Sequence, residues 1–218
     1  MNTRSLDELQ ILVTDHSGII SDDRRPVWQA NIRMLKMRNR PSLTFEEWQG
    51  VSASSAFTLL RKMGVEEDEP AVQAEYTEIY REVRATGTHP VCYGDAVIYF
   101  ARRKAEGRSN IILSSHPLSE LRRELEEYRL DRLFDDVIGD VADKGVALKK
   151  LLGFRAPRTM SYVGDMTHDV HAAQRAGITS IGVASGYHSR ETLEAANPDV
   201  LVDSLTELNT LFCTRVGA

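Results

Sequence analysis

With 218 residues, 42% of them hydrophobic and 27% charged, the chain has the composition of a soluble globular protein long enough for a proper hydrophobic core. Its formal charge of −5 argues against nucleic acid as a partner, because a phosphate backbone calls for a basic surface. Cys92 and Cys213 have no metal-ligand spacing and make no disulfide framework. A reducing compartment is therefore the default. The polar, acidic start is unlike a signal or transit peptide, and no apolar run approaches the ~20 residues of a transmembrane helix. No membrane partner and a cytoplasmic location are expected.

The run Ile11-Leu12-Val13-Thr14 reads as a buried strand that delivers Asp15-His16-Ser17-Gly18 into a turn. Taken alone, this is more simply an ordinary strand followed by an Asx turn. Asp22 and Asp23 are placed to cap a helix that runs to about residue 39, with Val27, Asn31, Met34 and Leu35 on one side. Thr44 and Glu47 have capping-box spacing. Further helices are expected over about 54–63, ended by Gly64, and from Pro70 to Gly87. No strand is expected within 20–87, and Arg33, Lys36, Arg38, Arg40, Arg61 and Lys62 there read mostly as solvated helix faces.

From residue 88 the pattern alternates. Helices are expected over about 94–107, 117–128, 144–152 and 168–177, near Thr192, and over 204–212. Strands are expected over 110–114, 136–139, 159–163, 180–183 and 199–202. Such alternation means a parallel sheet covered by helices on both faces. The expected architecture is α/β: a doubly wound, Rossmann-like core over residues 1–19 and 88–218, with an all-helical cap over 20–87 inserted after the first strand.

In such a sheet, ligands bind beyond the carboxyl ends of the strands. Polar groups would collect at that edge: Asp15 to Gly18, Ser114-Ser115-His116-Pro117, Asp140 to Lys144, and Gly164-Asp165-Met166-Thr167-His168-Asp169. Three carboxylates brought together repel unless a cation joins them, and hard oxygen ligands suit Mg2+. Ser114 and Lys144 supply a donor and a positive charge for a bound phosphate. A carboxylate beside a metal and a phosphate is an obvious covalent nucleophile. The residues alone thus point to metal-assisted phosphoryl transfer through an aspartyl-phosphate. The plainer alternatives are a helix cap and first-turn acid for Asp165 and Asp169, and a solvated helix-start lysine for Lys144.

These four motifs, with Ala172-Ala173, Ala176-Gly177, Gly186-Tyr187 and Pro198-Asp199-Val200 behind them, resemble the haloacid dehalogenase superfamily. The resemblance covers essentially the whole chain and is to the phosphoglycolate-phosphatase-like branch with a helical cap in the first position. It implies that Asp15 attacks phosphorus and that Lys144 balances charge. Mg2+ would be held by Asp15, the Ser17 carbonyl and Asp165, with Asp169 either a further ligand or a group supporting them. Ser114 and backbone amides after Asp15 would bind the transferring oxygens of a small phosphorylated metabolite. The same site reading adds His16, Ser115 and His116 as substrate-binding neighbours, in a monomer or homodimer.

One departure stands out. Where family phosphatases usually carry a second Asp, which protonates the leaving oxygen and later activates water, this chain has Ser17. Losing a general acid/base typically costs ~10²–10⁴ in rate. A slow phosphatase, one for good leaving groups, a phosphotransferase, or a site with a substitute group all fit, as does a degenerate binding module. His16, His116 and His168 are the candidate substitutes, with His171 and His188 expected to be bystanders. A C–P bond hydrolase resembling phosphonoacetaldehyde hydrolase would need a desolvated cap lysine, for which only Lys36 and Lys62 are available.

Overall fold

The computed structural model describes residues 9–51 and 53–213. β1 (Ile11–Thr14), β4 (Ser109–Leu113), β5 (Asp136–Ile138), β6 (Met160–Gly164), β7 (Thr179–Val183) and β8 (Val200–Val202) form one parallel sheet in the order β5-β4-β1-β6-β7-β8. β1 pairs on both sides, with Leu12 opposite Asn110 and Ser161.

Both faces of the central strands are covered, so β1 is almost wholly apolar, while β4 and β6 bury the polar Asn110 and Ser161 among their apolar residues. Alternate side chains enter different cores. Leu12, Ile112 and Val163 pack with α5 (Gly94–Ala105), α6 (Leu118–Tyr128) and α10 (Leu205–Cys213). Val13, Leu113 and Tyr162 pack with α7 (Lys144–Leu152) and α8 (Thr167–Ala176). A short α9 (Arg190–Ala195) adds Leu193 to a smaller cluster with Val170. The expected doubly wound α/β core is what forms.

The chain divides into two compact units, one ending at Ile20 and resuming at Cys92, the other Ser21–Val91. The second contains α1 (Arg24–Met37), α2 (Phe45–Val51), α3 (Ala56–Lys62) and α4 (Glu69–Ala85). The expectation of no strand there needs correction: β2 (Ser21–Asp22) pairs with β3 (Val91–Cys92). Two residues are too few to show a period in sequence.

The local signals in this unit work unevenly. Thr44 and Glu47 form the full reciprocal box, Glu47 Oε2 accepting the Thr44 N–H at 2.7 Å and Thr44 Oγ1 accepting the Glu47 N–H at 3.2 Å. Asp23 occupies the N-cap of α1 without a side-chain cap bond, while Asp22 instead accepts from Arg24 Nε at 2.7 Å. Arg38 is no solvated face either, since it donates to Glu67 Oε1 at 2.8 Å and also to Glu75. Among the described residues, no helix is long and apolar enough to cross a membrane.

Candidate active site

The chain order reverses at β1, between β4 and β6, which is where an open parallel sheet leaves a crevice. Asp15 follows β1 directly. Its N–H continues the ladder to the Val163 carbonyl at 2.8 Å, and its Oδ1 accepts the His16 N–H at 2.8 Å. The turn closes when the Ile19 and Ile20 N–H groups donate to the His16 carbonyl at 3.3 and 2.8 Å. Gly18 is needed twice: its φ is +73°, and a Cβ there would overlap the carboxylate of Asp165. Ser17 is half-buried in this turn.

Ser114 follows β4 and is buried. Its Oγ accepts the His116 N–H at 3.3 Å, and its carbonyl accepts the Val141 N–H at 3.2 Å. The His116 carbonyl accepts the Asp140 N–H at 3.0 Å, so the loops after β4 and β5 are tied together. Ser115 is half-buried beside them.

Lys144 opens α7, whose N-cap Asp143 accepts the Val146 N–H at 3.1 Å. It is not a solvated helix-start lysine. Its buried ammonium donates to Asp15 Oδ2 at 2.5 Å and to Asp169 Oδ1 at 2.7 Å. In Asp169 the helix-cap role and the site role coincide: Oδ2 accepts the Met166 N–H at 3.1 Å, while Oδ1 takes Lys144 and, at 3.3 Å, the Tyr162 hydroxyl. Asp165, at the end of β6, accepts the Tyr187 N–H at 2.6 Å through Oδ2 and the His188 N–H at 3.3 Å through its carbonyl.

Asp15, Asp165 and Asp169 are all buried, and each offers a carboxylate oxygen within 4.8 Å of the others. Burial raises the Asp165 carboxyl well above the usual carboxylate range, and the charges of Asp169 and Asp15 push it further. Burial acts the same way on Asp169, but His168 and Lys144 outweigh it and hold that carboxyl below its ordinary value. Burial would lower Lys144, yet the two carboxylates more than offset it and keep the ammonium charged. Burial and the neighbouring Asp15 and Asp169 raise Tyr162, which stays a hydroxyl donor. One buried ammonium among three carboxylates leaves the cluster short of positive charge. That deficit, with oxygen donors only, fits a hard divalent cation.

The expected histidines part ways. His16 and His116 are buried side by side, their rings stacked 5.9 Å apart at 20°, with His16 Nε2 3.5 Å from Glu124 Oε2 and His116 Nε2 3.6 Å from Glu124 Oε1. His168 Nε2 is 3.3 Å from Asp169 Oδ1, and burial pulls that imidazole below its normal range. His188 has a structural role: it is buried, and its Nδ1 accepts the Thr167 N–H at 3.1 Å, fastening the loop after β7 to the start of α8.

Sequence reasoning missed Glu124 and Tyr162, and noted Gly186-Tyr187 only as part of the resemblance, without the bond from its amide to Asp165. Glu124 follows Glu120 by four residues and alternates with Leu121 and Leu125, so two acids adjoin an apolar stripe. That was a faint signal. A tyrosine in a strand and a backbone N–H carry none.

Comparison with known proteins bears on this geometry. Residues 145–208 match the HAD-hydrolase-like family model. The chain is 28% identical over 213 residues to the probable phosphatase IndB of Dickeya dadantii, covering 91% of each. It is 30% identical over 167 residues to the phosphoglycolate phosphatase of Salmonella typhimurium, across 69% of this chain and 66% of that enzyme. A haloacid dehalogenase-like hydrolase structure from Streptococcus pneumoniae superposes with a TM-score of 0.75 at 16% identity, over 95% of this chain and 100% of that one, which establishes a shared fold.

Proposed function

The chain belongs to the haloacid dehalogenase-like hydrolases, and on that premise we propose that it is a Mg2+-dependent phosphatase of small organic phosphates working through an aspartyl-phosphate at Asp15. The observation that carries this reading is the buried Lys144 ammonium bridging Asp15 Oδ2 and Asp169 Oδ1, with Asp165 in the same cluster. A lone structural ion pair would need one carboxylate; a lysine bonded to two, with a third in the same cluster, suits a cation and a phosphoryl group.

Asp15 attacks phosphorus in line, forming an O–P bond as the leaving oxygen departs with its electron pair. Water then cleaves the acyl phosphate and frees Asp15. The His16 N–H and the Lys144 ammonium hold the two oxygens of Asp15 before attack, so little reorganisation is needed at the moment of reaction. Ser114 supplies a hydroxyl to the transferring oxygens. Asp15, the Ser17 carbonyl, Asp165 and Asp169 are the groups that would hold Mg2+. When bound, that ion supplies charge neutralisation for the phosphoryl oxygens.

Ser17 donates a hydrogen bond to the leaving oxygen but is a weak acid and base near neutrality. The first step therefore favours leaving groups that depart without a proton, such as aryl or acyl phosphates. A C–P hydrolase would need a desolvated lysine in Ser21–Val91, and Lys36 and Lys62 are both exposed.

The test is phosphate release with Mg2+ from p-nitrophenyl phosphate, acetyl phosphate and 2-phosphoglycolate by the parent, Ser17→Asp and Asp15→Asn. We expect a parent biased to the first two substrates, a gain of ~10²-fold or more on the alkyl phosphate with Ser17→Asp, and no turnover with Asp15→Asn. Parent-level turnover by folded Asp15→Asn would overturn the covalent route.

A further inference from the structure

We infer that Glu124 is a positioning residue that locks the loop carrying Asp15 to the loop carrying Ser114, through His16 and His116. The inference rests on the phosphatase reading above for its catalytic consequence. The locking itself stands on geometry alone.

Glu124 comes from α6, and its two oxygens are divided between the two loops, Oε2 at 3.5 Å from His16 Nε2 and Oε1 at 3.6 Å from His116 Nε2. The side chains of His16 and Glu124 are 0% exposed and that of His116 is 4% exposed, so solvent does not substitute for any member. The rings lie nearly parallel, 5.9 Å apart. At these separations the contacts are ion-pair contacts rather than hydrogen bonds, and a buried acid that lost both imidazoles would be left with its desolvation cost, which favours keeping the three together.

Each imidazole is one short step from a chemical group. His16 follows Asp15 directly, gives its N–H to Asp15 Oδ1, and accepts at its carbonyl the two N–H groups that close the turn. His116 gives its N–H to Ser114 Oγ and accepts the Asp140 N–H. A shift of either ring therefore moves the nucleophile or the phosphate-binding hydroxyl. A misplacement of about 1 Å at such a centre costs ~10²-fold in rate. An apolar trio of similar volume would fill the same space without linking particular oxygens to particular loops.

Glu124→Gln, Glu124→Leu, His16→Phe and the double variant Glu124→Gln/His16→Phe test this by two readouts. The first is amide hydrogen exchange at His16 and His116. The second is kcat and KM on p-nitrophenyl phosphate with Mg2+. We expect both amides to exchange faster in each Glu124 variant while the strand amides of β1 and β4 keep their protection. We also expect kcat to fall by ~10–10²-fold with KM changed less than about threefold, Glu124→Gln to be milder than Glu124→Leu, and the double variant to be no worse than its worse parent. Unchanged exchange at either histidine in a folded Glu124 variant overturns the locking. Increased exchange at both with an unchanged kcat overturns the positioning role. If the parent releases no phosphate from any substrate, the phosphatase reading fails and the positioning role with it, while the exchange data still decide the locking.

Discussion

Tyr187 donates its backbone N–H to Oδ2 of Asp165 at 2.6 Å, from a loop 22 residues further along the chain. The approach is possible because Gly186 precedes it: a Cβ on Gly186 would lie 2.5 Å from both Cβ and Cγ of Asp165. With Gly18 against the same carboxylate, Asp165 is approached closely by two glycines. Gly186→Ala must displace the carboxylate. Mg2+ binding measured by calorimetry is expected to weaken by ~10–100-fold, with the far-UV spectrum unchanged. Parent affinity in this variant would mean that Asp165 is not a ligand.

Metal affinity is expected to rise with pH because of Asp165. Its carboxyl is raised above the ordinary 3.8 by burial and by Asp169 and Asp15. Between that ordinary value and the raised one, the folded chain keeps a proton that the unfolded chain has lost. The metal-free fold therefore loses stability as pH rises through this window, and recovers it below the ordinary value. A cation displaces the same proton, so its affinity climbs by up to ~tenfold per pH unit. Calorimetry at a series of pH values above the ordinary 3.8, in buffers of different ionisation enthalpy, reads the released proton. Asp165→Asn should release none.

Lys144→Met leaves the Asp15 and Asp169 carboxylates buried without their shared cation. The expected loss is ~3–5 kcal/mol, or roughly 10 °C in melting temperature without metal. Lys144 is raised above the ordinary 10.5 by the two carboxylates, so its contribution is complete below that value and is lost only as pH rises through the folded one. The deficit of Lys144→Met relative to the parent should thus not respond to the lysine's own titration anywhere near neutrality. Adding Asp169→Asn to Lys144→Met should restore part of the loss in thermal melts.

Tyr162→Phe isolates one hydroxyl, which donates to the Leu113 carbonyl at 3.0 Å and lies 3.3 Å from Asp169 Oδ1. Its removal should cost ~1–2 kcal/mol in denaturant unfolding, because a buried carbonyl loses its donor. Lys144 and the Met166 N–H still hold Asp169, so Mg2+ affinity should move less than threefold. A larger loss of affinity than of stability would make Tyr162 part of the metal site's support.

Much of this protein is legible in its residues taken in order. The strand and helix alternation from residue 88 onward predicts the parallel sheet, because period and punctuation are local properties. The same strand-end reasoning picked out Asp15, Ser114, Lys144, Asp165 and Asp169, since a parallel sheet sends every such loop to one edge. The capping box at Thr44 and Glu47 was readable for the same local reason. What the order of residues could not convey is how the loops engage one another across the sheet. In sequence Glu124 is one acid among several on the helix over 117–128, and His16 and His116 read as substrate-binding neighbours or candidates for proton transfer. Their meeting depends on α6 packing beside the loop after β1, because His16 lies about a hundred residues before both His116 and Glu124. His188 and the Tyr187 amide joined the site through the path of a loop whose direction no local pattern encodes. Local spacing chose which groups reach the edge; tertiary packing decided which of them are bare, which are paired, and which are held in place by something buried behind them.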